Sequence, residues 1–488
     1  MAGKRRRRRN NHKRQKDMMI GPWKLVDTLG HGGNGEVWEV SREGLENHAI
    51  KLLKNADAIT YERFKAETHV LSTHSIEGMI PLVESNLPED LKEGVPWFVM
   101  PKAIPFAQYA EEKSSMELAK QFVLLGKTLE NLHSKGIAHR DIKPANVLFY
   151  NERLCFADFG LVKYPGKENI TPEKRDVGAK FTMAPEMRRE ASLADGMPAD
   201  VFSLAKSLWI ALTKQEKGFD GQYNPSSILS VKNYCDDLYT TSLDNLLVES
   251  TDTDPFNRPN AKAFTNRLIE WIELNEDFHN RNLLEWLDVQ KVIFPNGTPS
   301  QAIWTDVDSI CSILNEIGHR KSLNHMFYPT GGGMDLIGVS KAEENGMIAL
   351  HVCERSAELL KPKKLTYESV GYHPQWNYFR LEADEIEPTG VRGALNSAKS
   401  AEALLEIEPG RYVEYHHWDN GEYEGESLPQ TARPIDRFLK GSFVLFSKRS
   451  IYNRTGGTYD ARHDKMSEME FKEHIRTAAR MCYEHDAE

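Results

Sequence analysis

Residues 137–149, IAHRDIKPANVLF, place polar side chains between two apolar ends, namely those of His139, Arg140, Asp141, Lys143 and Asn146. Groups of these kinds are what transfer of a phosphoryl group from ATP requires. Asp141 would orient an acceptor hydroxyl and take its proton. Lys143 would steady the transferring phosphoryl group, and Asn146 would ligate Mg²⁺. The alternative interpretation is a polar turn between a helix and a strand.

A second carboxylate follows in FADFG, where Asp158 lies twelve residues beyond Asn146. The intervening RLCFA is predicted to be a short strand. A hairpin at this point would bring Asp158 and Asn146 to the same magnesium site. The spacing therefore predicts two metal ligands from neighbouring loops.

A glycine-rich stretch precedes both motifs. In GHGGNGEV, Gly30, Gly32, Gly35 and Val37 fit G-x-G-x-x-G-x-V. Glycines let a backbone fold tightly over a triphosphate, although a plain hairpin would also explain them. A dinucleotide fold would require a helix directly after the glycines, but EVWEV is predicted to be a strand.

Lys51 in HAIK lies on the strand that follows the glycine hairpin, between Ile50 and Leu52. An alternating strand would normally expose such a lysine, but here it could point into a cleft and bind phosphates. It would then need an acidic partner. We predict Glu67, because it lies on or beside the apolar face of the following helix, with Glu62 as the competitor.

These residues must be positioned by two kinds of element. The first ~105 residues are predicted to be mostly strand with one helix, at 59–73, and those up to ~275 mostly helix. Ser114 and Glu117 fit a capping box that opens a long amphipathic helix, which Gly136 would end. Beyond ~325 strands return, including a hairpin around Asn345-Gly346, before a final helical segment.

The ordered motifs resemble the eukaryotic-like (Hanks-type) protein serine/threonine kinase family over residues 22–275. The resemblance implies a bilobal α+β fold, with a β-rich N-lobe at 22–102 and an α-rich C-lobe at 103–275. It also implies ATP, Mg²⁺, for which Mn²⁺ could substitute, and protein substrates. Within the family pattern, Asp200 would anchor the catalytic loop, and Arg258 would pair with Glu186 of MAPE.

The resemblance also assigns the nucleotide site. Met100 falls at the gatekeeper position, and the backbone from Pro101 to Ala103 lies near adenine. Pro101 has no N–H, so adenine recognition would depend on its carbonyl and on Ala103. The implied ATP contacts are Gly30, Gly32, Gly35, Val37, Ala49, Lys51, Met100 and Ala103.

Two features concern the substrate and control. Lys143-Pro144 resembles the serine/threonine branch, whereas Gly178-Ala179 departs from the usual Gly-Thr and puts substrate positioning in doubt.

Arg140 beside the catalytic Asp implies control by a phosphate on the 158–186 segment. The candidate phosphosites are Thr171, which we favour, and Thr182, with Tyr164 ranked below them. An exposed threonine of no consequence is the alternative.

Charge and cysteine content point to partners and compartment. Residues 1–16 carry nine Lys or Arg and no acid, so the remainder of this chain of net charge −10 sums to −19. Residues 1–21 are predicted to be a disordered basic tail. The tail could also bind nucleic acid, an anionic surface or the acidic body. Five scattered cysteines, no secretory signal and no apolar run long enough for a membrane span predict a cytoplasmic protein.

The C-terminal half carries no motif that we can name. Residues 276–325 are predicted to be a helical linker, and 326–488 an accessory domain of mixed α/β, strand-rich type, with a boundary near YPTGGGMD. Adjacent histidines in YHHW chelate poorly together, which argues against a metal site. Aromatic residues here are predicted to be sheet core, with base stacking as the alternative: Trp376, Tyr378, Phe379, Tyr412, Tyr415, Trp418 and Tyr423.

The sequence therefore predicts an ATP- and Mg²⁺-dependent protein serine/threonine kinase that autophosphorylates and carries a C-terminal regulatory or substrate-recruiting domain. Two rival hypotheses stay open. A kinase-shaped scaffold with little activity would usually lack Lys51, Asp141, Asn146 or Asp158, all present here. A small-molecule kinase would not need the Glu186 and Arg258 elements. The oligomeric state is not predicted.

Overall fold

The computed structural model describes residues 14–31, 35–54, 57–91, 93–166, 181–189, 193–235, 238–320, 325–327, 333–342, 346–353, 356–371 and 373–383, the strands between 403 and 447, and scattered positions from 469 to 484. It divides the chain into two compact units, Met1–Glu276 and Asp277–Glu488. The first unit contains every candidate site residue of the sequence analysis.

The first unit begins with a six-stranded antiparallel sheet in the order β1-β2-β3-β4-β6-β5, and helix α1 follows β4 in the chain. The bounds are β1 Met19–Ile20, β2 Trp23–His31, β3 Gly35–Arg42, β4 Leu45–Leu53, α1 Ala58–Thr73, β5 Glu84–Asn86 and β6 Trp97–Pro101.

The two faces of this sheet have different roles. Trp23, Trp38, Ile50 and Leu52 belong to one buried cluster on one face. Because successive side chains of a strand point to opposite faces, Lys51 lies on the other face. Lys51 is flanked by the core residues Ile50 and Leu52, but its own side chain points to the second face, where it meets helix α1.

The N-terminal boundary of the sheet corrects one prediction. The disordered tail was expected to extend to residue 21, but the N–H of Asp17 donates to Leu25 O (2.9 Å), and Met19 and Ile20 pair with β2. The edge strand β2 offers unpaired backbone groups, and residues 17–20 satisfy them. Residues 1–13 lie outside the described part of the chain.

The rest of the first unit is mainly helical, with a small sheet in the order β7-β8-β9. The bounds are β7 Ile104–Pro105, α2 Phe106–Ala110, α3 Ser115–Ser134, β8 Val147–Tyr150, β9 Arg153–Phe156, α4 Pro185–Arg189, α5 Gly196–Thr213, α6 Thr241–Ser250 and α7 Ala261–Glu276. Helix α3 packs against both α5 and α7, and this contact forms the centre of the lobe.

Helix α3 confirms the predicted signals. Ser114 and Glu117 form the complete capping box, and Gly136 follows the last turn at φ +72°. The apolar stripe of the helix is buried. The lobe is thus stabilised by a helix whose start, end and inward face are all encoded locally.

The second unit is built from strands with two helices at its start. The bounds are α8 Phe278–Ile293, β10 Gln301–Trp304, α9 Val307–Gly318, β11 His325–Phe327, β12 Gly333–Asp335, β13 Gly338–Lys341, β14 Ile348–Cys353, β15 Ser356–Leu360, β16 Pro362–Glu368, β17 Tyr378–Ala383, β18 Ala403–Glu408, β19 Arg411–Tyr415, β20 Glu422–Tyr423, β21 Glu426–Ser427, β22 Arg433–Ile435, β23 Arg437–Phe438 and β24 Phe443–Ser447. The sheet orders are β10-β16-β17-β24-β11-β12, β13-β14-β15-β23, β19-β18-β22 and β20-β21.

The predicted linker over 276–325 is corrected by these pairings. Strand β10 pairs with β16, and residues of α8 and α9, such as Trp286 and Leu314, share a core with Phe379. The apolar face of α9 needs a sheet to cover it, so it joins the unit. YPTGGGMD is likewise no domain boundary, because β11 and β12 on either side of residues 328–332 pair in the same sheet.

Other predictions for this half are confirmed in part. Strands β13 and β14 pair as the hairpin expected around Gly346, which has φ +75°. Trp376, Tyr378 and Phe379 are buried, in agreement with the core interpretation. The side chains of the other candidate aromatics, and His416 of YHHW, lie outside the described residues.

Candidate active site

A lysine and two carboxylates meet on the inner face of the N-terminal sheet. Lys51 Nζ lies 2.7 Å from both Glu67 Oε1 and Oε2, and 3.1 Å from Asp158 Oδ1. The three residues come from β4, from α1 and from the loop after β9. The structure therefore brings together groups that are up to 107 residues apart in the chain.

Helix α1 determines which glutamate reaches Lys51. Glu67 is 3% exposed and accepts a hydrogen bond from the N–H of Phe159. Glu62 is half exposed and pairs with Lys65 on the same helix. Glu67 is thus the partner of Lys51, as the position of the apolar residues on the helix suggested.

The charges of Lys51, Asp158 and Glu67 shift one another's pKa values. Although burial opposes it, the carboxylates of Asp158 and Glu67 raise the pKa of Lys51. The ammonium of Lys51 lowers the pKa of Asp158. Burial raises the pKa of Glu67, against the effect of Lys51. The contacts of Lys51 with both oxygens of Glu67 are as short as those of an ionised pair.

The catalytic-loop residues form a second cluster. Lys143 Nζ donates to Asp141 Oδ2 (2.8 Å), and Asn146 Nδ2 donates to Asp141 O and Oδ2 (both 2.9 Å). These bonds fix the carboxylate from two sides. Asp141 is thereby held in one orientation, as a group that must accept a proton at a defined point requires.

Asp200 binds the backbone of the catalytic loop. The carboxylate of Asp200 accepts hydrogen bonds from the N–H groups of His139 (2.7 Å) and Arg140 (2.6 Å), and contacts His133 Nε2 (3.1 Å). Arg140 has φ +70°, a conformation that costs free energy for a residue with a side chain. Bonds to a buried carboxylate compensate for this strain.

The hairpin between β8 and β9 joins the two metal-ligand candidates. Val147 pairs with Phe156, and the N–H of Ala157 donates to Asn146 O (2.9 Å). Asp158, the next residue, has φ +60°, which aspartate tolerates better than most residues. The buried ring of His139 packs 4.6 Å from that of Phe159, which stabilises the turn.

The donor atoms at this position suit Mg²⁺. The two hydrogen bonds donated by Asn146 Nδ2 leave its amide oxygen as the acceptor. The side chain of Asp158 is 47% exposed, and one of its oxygens contacts Lys51. An amide oxygen and a carboxylate are hard ligands of the type that Mg²⁺ binds together with water and phosphates.

The predicted nucleotide contacts surround the same face. Val37 pairs with both Gly30 and Lys51, and Ala49 pairs with Met100. At Gly35 an added Cβ would lie 3.0 Å from Leu52 O, so a side chain there would require a small shift of the neighbouring strand, whereas an added Cβ at Gly30 would meet nothing within 4 Å. Ala103 follows β6 and is partly buried, and Gly32 lies outside the described residues.

Farther from the cleft, Arg258 donates to Glu186 Oε1 (2.6 Å) and Oε2 (2.9 Å). Thr182 is 3% exposed, so its hydroxyl is inaccessible to a kinase in this conformation. Thr171 and Ala179 lie outside the described part of the chain.

Sequence reasoning missed two residues near these clusters. His133 contacts Asp200, and the charge of Arg63 lowers the pKa of Arg140, after the larger effect of burial. Arg63 precedes Glu67 by one helical turn, and that spacing was the available signal. For His133 the sequence offered no signal other than its place in the last turn of α3.

A β-rich lobe, a helical lobe and these clusters define the protein kinase fold. A family model described as "protein kinase domain" matches residues 23–273. The chain therefore belongs to the protein kinase family.

Relatives are similar over part of their length. The chain is 28% identical to the serine/threonine-protein kinase AfsK of Streptomyces griseus over 40% of this chain and 24% of that protein. It is 30% identical to the dual specificity protein kinase shkB of Dictyostelium discoideum over 50% of this chain and 39% of that protein. For PknA of Mycobacterium tuberculosis the identity is 27%, over 38% and 45%. The chain thus spans less than half the length of these relatives.

Among solved structures, the kinase domain of Mycobacterium tuberculosis PknI is 22% identical, with a TM-score of 0.41. The match covers 53% of this chain and 100% of that one. Within the described residues of the present chain, every helix is too short or too polar to cross a membrane.

Proposed function

We propose that the protein is an ATP- and Mg²⁺-dependent protein serine/threonine kinase. The observation that carries the proposal is the ion-paired set of Lys51, Glu67 and Asp158 joined, through the β8–β9 hairpin, to Asp141 and Asn146. A structural role alone would not require a lysine and two carboxylates to be held together against the cost of burying them.

Each residue has a role in this reaction. Lys51, steadied by Glu67, binds phosphate oxygens of ATP, and Asp141 orients the acceptor hydroxyl and takes its proton. Lys143, already beside Asp141, offsets negative charge on the transferring group. Mg²⁺ would neutralise charge on the phosphates when held by Asn146 and Asp158. Positioning and electrostatics supply most of the rate enhancement in such reactions.

Serine and threonine are the proposed acceptors. Lys143 contacts the catalytic carboxylate directly, and the kinases AfsK and PknA are named for serine/threonine specificity. We also propose autophosphorylation within 158–186, most readily at Thr171. Arg63 and Arg140 are close enough for the charge of Arg63 to lower the pKa of Arg140, and two neighbouring guanidinium groups would bind a phosphate on that segment.

The remaining proposals concern the cell and the second unit. Cys155 and Cys311 are buried free thiols, which suits a reducing cytoplasm. The second unit has its own core and could recruit a protein substrate or regulate the first.

Phosphate transfer from γ-labelled ATP to the protein itself and to a generic basic substrate protein tests the proposal. We expect incorporation into Ser and Thr that Asp141→Asn abolishes and Asp308→Asn, a matched change at an exposed residue of the second unit, preserves. Phosphosite mapping of the two variants would show whether Thr171 is phosphorylated in Asp308→Asn and unphosphorylated in Asp141→Asn. Absence of transfer by the unmodified protein would favour the scaffold hypothesis, and transfer only to small molecules would favour the small-molecule kinase hypothesis.

A further inference from the structure

Residues 14–20, which we call the strap, are bonded to strand β2. The N–H of Asp17 donates to Leu25 O (2.9 Å), and the N–H of Leu25 donates back to Met18 O (2.9 Å). Lys24 Nζ lies 2.7 Å from Asp17 Oδ1 and adds an ion pair to these backbone bonds. The strap is therefore an integral part of the N-terminal sheet.

The turn between the strap and β2 packs closely on the sheet. Gly21 has φ +56°, and an added Cβ there would lie 2.9 Å from Cζ2 of Trp97. Trp97 is buried in the same apolar cluster as Trp23, the first residue of β2. Glycine suits both the backbone conformation and the close contact, so the strap enters the sheet in a defined direction.

Arg14 joins the strap to strands β3 and β4. Its Nη1 donates to Glu36 Oε2 (2.9 Å) and its Nη2 to Leu53 O (3.4 Å). The side chains of Arg14 and Glu36 are 17% and 18% exposed, so solvent and salt screen this ion pair less than a fully exposed one. Glu36 Oε2 also accepts from Nε1 of Trp38, a member of the apolar cluster (3.4 Å). One guanidinium group thus bonds two neighbouring strands.

The residues that this guanidinium group contacts stand beside the predicted nucleotide contacts. Glu36 lies between Gly35 and Val37 in β3. In the β3–β4 pair, Leu53 is opposite Gly35 and Lys51 is opposite Val37. Because side chains alternate along a strand, Val37 and Lys51 point to the face opposite Glu36. The two strands are therefore held together from the face that the nucleotide does not use.

We propose that Arg14 is a positioning residue for ATP, because it holds the end of the glycine-rich stretch against β4. The inference rests on the proposed function, which places the triphosphate beside Lys51. The ends of paired strands open more readily than their centres. The contacts of Arg14 at Glu36 and Leu53 act at such an end, and their loss would let Val37 move away from the nucleotide.

Displacement of a fluorescent ATP analogue by Mg²⁺-ATP measures the Kd of the intact chain without requiring catalysis. We expect Arg14→Gln to raise the Kd for ATP about three- to tenfold, as for the loss of one partly shielded ion pair. Arg14→Lys keeps the charge but lacks the planar fork that bonds two acceptors, so its Kd should lie between these values. Arg42→Gln is the matched control, because it removes an exposed arginine paired with Glu84 in the same sheet, and it should change the Kd less than twofold. An unchanged Kd in Arg14→Gln, or an equal increase in Arg42→Gln, would overturn the proposal.

Two further readouts separate positioning from a general loss of stability. Arg14→Gln and Glu36→Gln break the same ion pair, so the double variant should raise the Kd by clearly less than the product of the two single effects. In steady-state kinetics, Arg14→Gln should raise the KM for ATP by the factor found for the Kd and change kcat less than twofold. Independent effects of the two substitutions, or a lower kcat at an unchanged KM, would contradict the positioning role.

Amide hydrogen exchange of the protein without nucleotide tests the contact itself. Residues 35–38 should exchange faster in Arg14→Gln than in the unmodified protein, whereas strand β6 should exchange as before. Equal exchange at residues 35–38 would refute the inference.

The outcomes also distinguish this inference from the proposed function. If the unmodified protein transfers no phosphate but its Kd and exchange respond to Arg14→Gln as expected, only the kinase activity is refuted. If the protein is an active kinase whose Kd for ATP does not depend on Arg14, only the positioning role is refuted. A protein that does not bind the ATP analogue would refute both.

Discussion

Lys51 contacts two carboxylates from distant parts of the chain: Glu67 on helix α1 at 2.7 Å and Asp158 after β9 at 3.1 Å. The contact makes the position of α1, the position of the Asp158 loop and the charge of the lysine depend on one another. Helix α1 carries two glutamates that could have paired with Lys51, and only Glu67 does so.

Glu67→Gln should weaken ATP binding and lower kcat/KM at least tenfold, because Lys51 loses the charged partner that holds it in place. Glu62→Gln is the matched control on the same helix, and it should change kcat/KM less than twofold, since Glu62 is half exposed and pairs with Lys65 rather than with Lys51. Steady-state kinetics of both variants check the prediction. Equal effects of the two substitutions would contradict it.

Asp200→Asn should loosen the catalytic loop. The buried carboxylate accepts from the N–H groups of His139 and Arg140, and an amide offers one oxygen and no charge. We expect kcat to fall about tenfold or more and the free energy of unfolding to fall by about 1–3 kcal/mol. Asp195→Asn, which alters the exposed N-cap of α5, should retain activity. Urea unfolding and initial rates measure both effects.

Arg258→Lys should destabilise the first unit by about 2–4 kcal/mol, because a lysine cannot reproduce the two parallel bonds to Glu186 in this buried setting. Arg267→Lys is a matched control. Arg267 also bonds both oxygens of one glutamate, Glu249, but the pair is exposed and should cost less than about 1 kcal/mol. Thermal or urea unfolding measures the free energy of unfolding of both variants. An equal decrease in the two would show that burial is not the cause.

Lys206 gives a prediction on pH. Its Nζ is buried, donates to Phe219 O (2.7 Å), and lies over the rings of Phe202 (5.0 Å) and Phe219 (4.6 Å). Burial lowers the pKa of Lys206 to about 8, while Asp220 opposes the shift and Arg188 adds to it.

Between pH 8 and the ordinary value of 10.5, the unfolded chain therefore binds more protons at this position than the folded one. This group then makes the free energy of unfolding rise with pH, by about 1–3 kcal/mol across the window. Lys206→Met should remove that rise, whereas Lys217→Met, at an exposed lysine, should keep it. Urea unfolding at pH 7.5 and pH 10 gives the comparison. A rise of equal size in both variants would contradict the prediction.

The kinase motifs could be predicted from the sequence because phosphoryl transfer restricts both the residue types and their local spacing. Asp141, Lys143 and Asn146 lie within six residues of one another, and a short hairpin fixes the distance from Asn146 to Asp158. The choice of Glu67 over Glu62 depended on helical periodicity, which is also a local property. The same holds for the capping box of α3.

Other features depended on contacts between distant segments. Residues 14–20 are ordered because β2 offers a free edge, and 277–325 belong to the second unit because its sheet covers α9; composition alone suggested a tail and a linker. The sequence by itself thus determined the chemistry of this protein, since local spacing encodes it. Only the tertiary structure decided which segments join each sheet and which cations are buried, as for Lys206, because burial depends on residues that are far away in the chain.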